Sequence, residues 1–345
     1  MRIVVTGGAG FLGYHLTQRL HREGQEIVLL DVAPFPVGDY PAEVVRLRAD
    51  VRDAATLRRH LAGADVVIHA AAALPLWKRA DIFAVNTHGT RNVLLAAQEA
   101  GVPRVVQISS TAVYGVPDKH PLEETDPVDG VGPYGQSKIQ AEALCAIARE
   151  SGLCVPIIRP KTFIGTGRLG VFQILYDWVA GGKRIPIIGD GRNRYQLLEV
   201  EDLVDAIWRV ASGPAERVNA TFNVGAARFA TVIEDVGALC AYANSGARVL
   251  PTPAPLVVTA LQALEALHLS PLYKWVYGTA SKDSFVSTDK IERAAGWTPR
   301  YSNAEALIRS YQWYIEHAGE LGSGTGVTHR VAWGQGALGL VKRLL

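Results

Sequence analysis

Cysteine is scarce. The chain of 345 residues has 3, Cys145, Cys154 and Cys240. An odd, scattered trio offers neither a disulfide framework nor metal-ligand spacing, so reduced thiols in a cytoplasmic protein and no metal site are expected. Surplus charge is scarce as well: the formal net charge is +2, which leaves no electrostatic footprint for nucleic acid. No charge-free apolar run is long enough to span a bilayer. No charged-then-apolar leader stands before the strand-like Arg2-Ile3-Val4-Val5, so secretion is not expected. Repeats and low-complexity linkers are missing too. Core-forming residues are plentiful, 48% hydrophobic against 20% charged. That suits one large unit or two closely joined ones and argues against disorder.

Apolar runs of strand length alternate with helical patterns. The runs are Ile3–Val5, Glu26–Leu30, Val44–Leu47, Val66–His69, Val105–Ile108 and Val155–Ile158. The helical stretches lie near Leu12–Glu23, Ala54–Leu61, Asp81–Ala100 and Tyr134–Ser151. Runs this apolar are buried on both faces, as in a parallel sheet between helix layers. The expected fold is α/β, a doubly wound parallel sheet of the Rossmann kind, with its ligand crevice at the carboxyl ends of the strands. Past Arg159-Pro160 the alternation weakens, although Val200–Val210 reads as one more helix and Thr221–Val224 as one more strand. The chain therefore divides into a dinucleotide-binding domain, 1–160 and 196–228, and a smaller, discontinuous substrate lobe with a tail, 161–195 and 229–345.

Gly7, Gly10 and Gly13 stand where the first strand turns into a helix. The first permits the tight turn, the second lets backbone approach a pyrophosphate, and the third lets helix and strand pack closely. The helix N-terminus, with Phe11 and Leu12, then offers unpaired N–H groups to the phosphates. The second strand ends in Asp31, whose carboxylate suits ribose hydroxyls and repels a 2′-phosphate. No arginine follows it directly, so NAD is favoured over NADP. Asp50-Val51, at the end of the third strand, is placed to reach the adenine or is an ordinary strand end.

Tyr134 and Lys138 are one turn apart if their segment is helical. A phenol titrates near ~10 and is a poor acid/base at neutral pH until a nearby cation stabilises its phenolate. An ammonium and a positive nicotinamide ring would both do so, and Lys138 would also hold the nicotinamide ribose. Ser110, within Ser109-Ser110-Thr111, would donate a hydrogen bond to the substrate oxygen. A tyrosine–lysine pair alone fits an ordinary surface helix; beside the serine segment and the glycine turn it points to hydride-transfer chemistry.

From the glycine turn to about Tyr314 the chain resembles the extended short-chain dehydrogenase/reductases, the NAD-dependent epimerase/dehydratase superfamily. The resemblance rests on the TGxxGxxG turn at 6–13, Asp31, His69-Ala70-Ala71, Asn86 in Val-Asn-x-x-Gly-Thr, Ser110 in Ser-Ser-Thr-Ala-Val-Tyr-Gly, Tyr134, Lys138 and Arg159-Pro160. It implies that Ala70, Ala71, Asn86 and Pro160 border the cofactor. It also implies a homodimer formed by the helices near Asp81–Ala100 and Tyr134–Ser151. His69 reads as a packed strand-end histidine and Asn86 as a structural hydrogen-bonder.

Nucleotide-sugar members of that superfamily hold a diphosphate with two arginines and an asparagine. The corresponding positions here are Tyr195, after the Gly189-Asp190-Gly191 turn, the segment Tyr277–Phe285, and Thr162. Lys161, Arg168, Arg192 and Arg194 are the cations that could take the place of that clamp. Ser284–Trp297 and the apolar helix Ala254–Leu267 are closer to the sterol and 3β-hydroxysteroid dehydrogenase branch. The polar residues of that helix, Thr259, Gln262 and Glu265, form one stripe. Such a helix lines a lipophilic pocket, touches a membrane surface, or packs as core or subunit contact. Trp77-Lys78 lies on a loop that covers the substrate or is plain surface. The tail Val331–Leu345, with Trp333, Lys342 and Arg343, reads as a peripheral membrane contact or a docked helix, and no acidic residue follows Glu320.

The expected activity is NAD-dependent interconversion of a secondary alcohol and a ketone on a lipophilic, sterol-like small molecule. Tyr134, Lys138 and Ser110 are the catalytic set, and Thr111, Trp77, Thr162, Arg168, Arg192 and Tyr195 are substrate candidates. The alternative is a nucleotide-sugar 4-epimerase, which would use the same site twice. A dinucleotide-sensing regulator would usually lack the tyrosine–lysine pair.

Overall fold

The computed structural model describes residues 1–266 and 278–319. Seven strands meet in one sheet: β1 (Arg2–Thr6), β2 (Glu26–Asp31), β3 (Val45–Arg48), β4 (Val66–His69), β5 (Val105–Ile108), β6 (Ile157–Pro160) and β7 (Thr221–Val224). Their order is β7-β6-β5-β4-β1-β2-β3, and every pair is parallel. The winding reverses between β1 and β4, where Thr6 stands beside His69. A crevice opens at such a reversal, beyond the carboxyl ends of the two strands.

Alternation along β1 sends Ile3 and Val5 to one face and Val4 to the other. On the first face, Leu16 and Leu20 of α1 (Phe11–Arg22) share a core with Leu203 and Ile207 of the later helix Val200–Ser212. On the second, α2 (Ala54–Leu61), α3 (Thr90–Glu99) and α4 (Gly132–Glu150) contribute Leu57, Leu61, Val93 and Cys145. Full burial of each such aliphatic side chain stabilises by about 1.5–3 kcal/mol. The three cysteines are free and buried.

The expected helix over 81–100 begins earlier and is interrupted. Arg79–Phe83 is α-helical, Ala84–Gly89 is one π-helical stretch, and Thr90–Glu99 resumes as α3. The wider turn fits the demands made on Asn86. Its amide accepts from the Ala73 N–H at 2.8 Å and donates to the Ala73 carbonyl at 3.1 Å and to Ser137 Oγ at 3.0 Å. It thereby fastens the loop after β4 to α4. β6 is displaced from the expected Val155–Ile158, because the Val155 N–H is taken by Asn219 Oδ1 at 2.8 Å and Pro156 has none to give.

A smaller lobe has its own core of Tyr176, Trp178, Leu239, Leu307 and Tyr311. It is built from helices Val171–Ala180, Val232–Ala243 and Asn303–His317 and a parallel strand pair, Arg184–Ile188 with Arg248–Thr252. Capping boxes at Thr231/Glu234 and Ser302/Glu305 start two of its helices. The helix Ala254–Ala266 leaves Leu256 70% exposed. Leu267, Tyr277 and the tail Val331–Leu345 lie outside the described residues. Among the described residues no helix is long and apolar enough to cross a membrane.

Candidate active site

The turn between β1 and α1 leaves no room for a side chain at Gly7 or Gly13. Gly7 has φ +76°, and a Cβ there would lie 2.7 Å from the Ala71 backbone nitrogen. A Cβ on Gly13 would strike the carbonyl oxygen of Gly7. Gly10 caps α1 without any side-chain capping bond, and the first turn of α1 carries no acidic residue. Backbone N–H groups at this N-terminus are thus available to an anion, and the helix dipole favours one. Asp31 ends β2 beside the turn. Its carboxylate accepts from the Ala9 N–H and the Ala33 N–H, each at 2.9 Å. Burial raises its pKa above the usual aspartate value, and those backbone bonds act in the opposite direction. A bare backbone cradle with an oriented carboxylate at the next strand end fits the pyrophosphate and ribose of a dinucleotide.

His69 closes the crevice floor as a structural residue. It is 1% exposed, and its ring bridges Thr6 Oγ1 at 2.7 Å and Thr90 Oγ1 at 3.1 Å. Burial, aided by the charge of Lys138, depresses its pKa from 6.5 to about 3. The unfolded chain therefore binds a proton on this ring that the folded chain refuses between those two values. Stability from this group is fully present above pH 6.5 and falls as pH drops towards about 3, by about 1.4 kcal/mol per pH unit at the steepest. Melting temperatures across that range are expected to show the slope, and His69→Asn to flatten it. Parallel slopes for the two proteins would refute the assignment.

Beyond β5 the chain delivers Ser110, whose Oγ accepts from the Ala112 N–H at 3.1 Å and caps the 3₁₀ turn Thr111–Tyr114. The Tyr134 phenol shares a hydrogen bond with Ser110. Burial pushes that phenol up to about 12, a rise the serine partly offsets. One turn along α4, Lys138 is 3% exposed and donates to the Ile108 carbonyl at 3.0 Å. Its ammonium lies 5.8 Å from the centroid of the Tyr134 ring. Burial pulls its pKa down to about 8, against the pull of Glu142. Glu142, a further turn along, grips the Arg159 guanidinium, with contacts of 2.9, 3.2 and 2.6 Å, and accepts from Ser109 Oγ at 2.5 Å. Arg159 also donates to Tyr114 OH at 2.7 Å. This buried network holds the strand ends under the site. Its one clue in the sequence is the four-residue step from Tyr134 through Lys138 to Glu142.

Asp50 and Val51 follow β3, and Pro160 ends β6. The Asp50 carboxylate is held by Arg52 at 3.0 and 2.9 Å, which keeps it below the usual aspartate range. Val51 is buried against Gly89, and the Pro160 carbonyl accepts from Thr111 Oγ1 at 3.3 Å.

A narrow cleft, partly open to solvent, adjoins Thr111. Its polar lining comes from Thr111, His120, Lys161, Thr279, Asp283 and Ser284. The lining is neither the apolar wall of a lipid pocket nor a set of converging arginines. Thr162 Oγ1 and Tyr195 OH approach each other at 3.5 Å beside it. The expected Arg168, Arg192 and Trp77 do not line this cleft. Arg168 stacks over Phe11 and Phe163 at 5.3 and 5.6 Å, next to the glycine turn. Arg192 sits exposed near Asp190. The Trp77 indole N–H is buried without a hydrogen-bond partner. Arg194 lies over the rings of Phe229 and Phe285 at 4.6 and 4.9 Å. A larger cavity of about 220 Å³ between α1 and helix Val200–Ser212 is lined by none of Ser110, Tyr134 and Lys138, and its Arg19 and Arg300 already pair with carboxylates.

Doubly wound sheet, glycine cradle and the Ser110–Tyr134–Lys138 cluster together define an enzyme of the extended short-chain dehydrogenase/reductase class. The chain belongs to the NAD-dependent epimerase/dehydratase family, whose profile matches residues 3–225, and it is an NAD-dependent enzyme. It is 36% identical over 344 residues to the uncharacterized protein y4nG of Sinorhizobium fredii, covering 98% of this chain and 85% of that one. It is 33% identical to a UDP-glucose 4-epimerase of Mycolicibacterium smegmatis, covering 65% of this chain and 77% of that one. It is 27% identical to a 3 beta-hydroxysteroid dehydrogenase/Delta 5-->4-isomerase of Mycobacterium tuberculosis, covering 91% and 90%. Among solved structures it resembles DesIV, a dTDP-glucose 4,6-dehydratase from Streptomyces venezuelae with NAD and TYD bound. The TM-score is 0.75 at 26% identity, covering 93% of this chain and 98% of that one.

Proposed function

We propose that the enzyme interconverts a secondary alcohol and a ketone, with the catalytic roles carried by Tyr134, Ser110 and Lys138. The observation that carries this reading is the Tyr134–Ser110 hydrogen bond with the Lys138 ammonium one turn away, all beside the glycine cradle. Gly7, Gly10, Gly13 and the N–H groups of Phe11 and Leu12 would hold the pyrophosphate. Asp31 would hold the adenosine ribose, and Ala70, Ala71 and Pro160 would border the ring. Bound NAD supplies the hydride acceptor or donor. Ser110 orients the reacting oxygen, Tyr134 exchanges the proton on it, and Lys138 stabilises the phenolate that exchange requires. The Asn86 amide is spent on Ala73 and Ser137, so its role is to position the loop under the cofactor.

For the substrate the reading is a lipophilic, sterol-like molecule. It is supported by the lack of a paired-arginine clamp among the described residues, by the apolar helix Ala254–Ala266 with its exposed Leu256, and by the hydroxysteroid dehydrogenase relative. That helix is also where peripheral membrane contact is proposed. Exposed Leu95 and Ile147, on α3 and α4, support a homodimer through those helices. A second reading, a nucleotide-sugar 4-epimerase, draws support from the polar lining beside Thr111 and from the epimerase relative. Calorimetry on the NAD-loaded enzyme separates the two. Uridine and thymidine diphosphate are expected to bind no tighter than about millimolar, some 4 kcal/mol, because a diphosphate needs bidentate cations to offset leaving water. Micromolar binding that vanishes in Arg192→Ala or Arg194→Ala would establish the epimerase reading instead.

A further inference from the structure

Lys161 follows β6 directly, and its N–H is pinned to the Val224 carbonyl at 2.9 Å. The side chain is 3% exposed, yet among the described residues no carboxylate pairs with it. Its ammonium donates to Ser284 Oγ at 2.6 Å and lies over the Tyr195 ring at 5.0 Å. Asp283 lines the same cleft, but its Oδ1 is taken by the Arg194 N–H at 2.7 Å. His120, on the facing loop, is the other titratable group there, its ring 4.9 Å from that of Phe285 and tilted to it. An ammonium has three donors, and a buried, uncompensated cation is costly to the fold. Thr111, next to Ser110, lines the cleft that Lys161 lines.

We propose that Lys161 is a substrate-binding residue that takes an oxyanion, a carboxylate or phosphate group carried by the substrate near its reacting carbon. The proposal rests on the alcohol/ketone reading of the Ser110–Tyr134 site and deepens it. The proposed lipophilic substrate then carries one acidic group, which lies beside Thr111 while its carbinol lies at Ser110. One point cation suits a single carboxylate or phosphate monoester, where a diphosphate would call for bidentate arginines. Burial alone pulls the amine down to about 7, and an arriving anion would restore its proton. The partners of Lys161 are separated from it by 123 residues in the case of Ser284, so chain order hides the site.

The test uses the NAD-loaded protein and three probes, levulinate, its methyl ester and inorganic phosphate, followed by calorimetry. Wild type is expected to bind levulinate or phosphate at least about tenfold more tightly than the neutral ester; which of the two wins identifies the anion. Lys161→Met is expected to erase that preference, and Lys161→Arg to keep most of it. Because Met removes an uncompensated buried cation, Lys161→Met is also expected to raise the melting temperature of the unliganded protein by several degrees. A purely structural lysine would lower it. Should Lys161→Met fail to bind NAD, Lys161→Gln carries the same comparison. A preference unchanged in the variant, or no preference in wild type, overturns the proposal. Tyr134→Phe separates the two readings. It should keep the anion preference while losing turnover, so active Tyr134→Phe defeats the catalytic reading and leaves Lys161 standing.

Discussion

Tyr134→Phe is expected to lower turnover by about a hundred- to ten-thousand-fold, the usual cost of removing a general acid/base, while NAD affinity stays within about twofold. The variant deletes one oxygen. The ring stays near Lys138 and α4 keeps its packing, because the helix is anchored by Ser137, Lys138 and Cys145 and not by the phenol. Ser110 keeps its second partner, the Ala112 N–H, so the oxygen-binding group remains in place. The large loss is expected because the Tyr134 phenol is the group hydrogen-bonded to Ser110. His69 is sealed between two threonines and held neutral by burial. Steady-state turnover and fluorescence titration of NAD check the two halves of this result. Near wild-type turnover would mean that another group is the acid.

Wild-type enzyme is expected to prefer NAD to NADP by at least about a hundredfold, some 2.7 kcal/mol, since like charges brought together in a binding site cost several kcal/mol. Asp31 is fixed by the Ala9 and Ala33 N–H groups, so it cannot swing aside to admit a 2′-phosphate without breaking two backbone bonds. Asp31→Asn is expected to narrow the preference at least about tenfold, mainly by relieving repulsion of NADP. Intrinsic fluorescence titrations of both cofactors give the ratio. Equal or tighter NADP binding by wild type would overturn the role given to this carboxylate.

The sheet and the cofactor turn were legible because their signals are local. Apolar runs at strand spacing place β1 to β7 within a residue or two, and the glycines at 7, 10 and 13 meet steric demands set by their immediate neighbours. The tyrosine–lysine pair was legible for the same reason, one helical turn. The π-helical turn at Ala84–Gly89 was not, because it answers to Asn86 bonding Ala73 and Ser137 across the fold. The cleft beside Thr111 was least legible. Its lining joins Thr111, Lys161 and Ser284 from three distant segments, and a sequence cannot say that Arg192 faces solvent or that Arg168 is stacked on Phe11 and Phe163. Neither of those arginines reaches the cleft where charge was expected, and Lys161 does.

On the proposed reading, Tyr134 is a phenol that neighbouring positive charge poises to exchange a proton. Ultraviolet difference titration of tyrosine ionisation measures it without any substrate. In the unliganded protein the buried phenol stands at about 12. With NAD bound, one tyrosine is expected to ionise at least about one pH unit lower, because a second positive charge joins that of Lys138, and this transition should be absent from Tyr134→Phe. If NAD shifts no tyrosine, or shifts the same one in Tyr134→Phe, the account of the site is wrong.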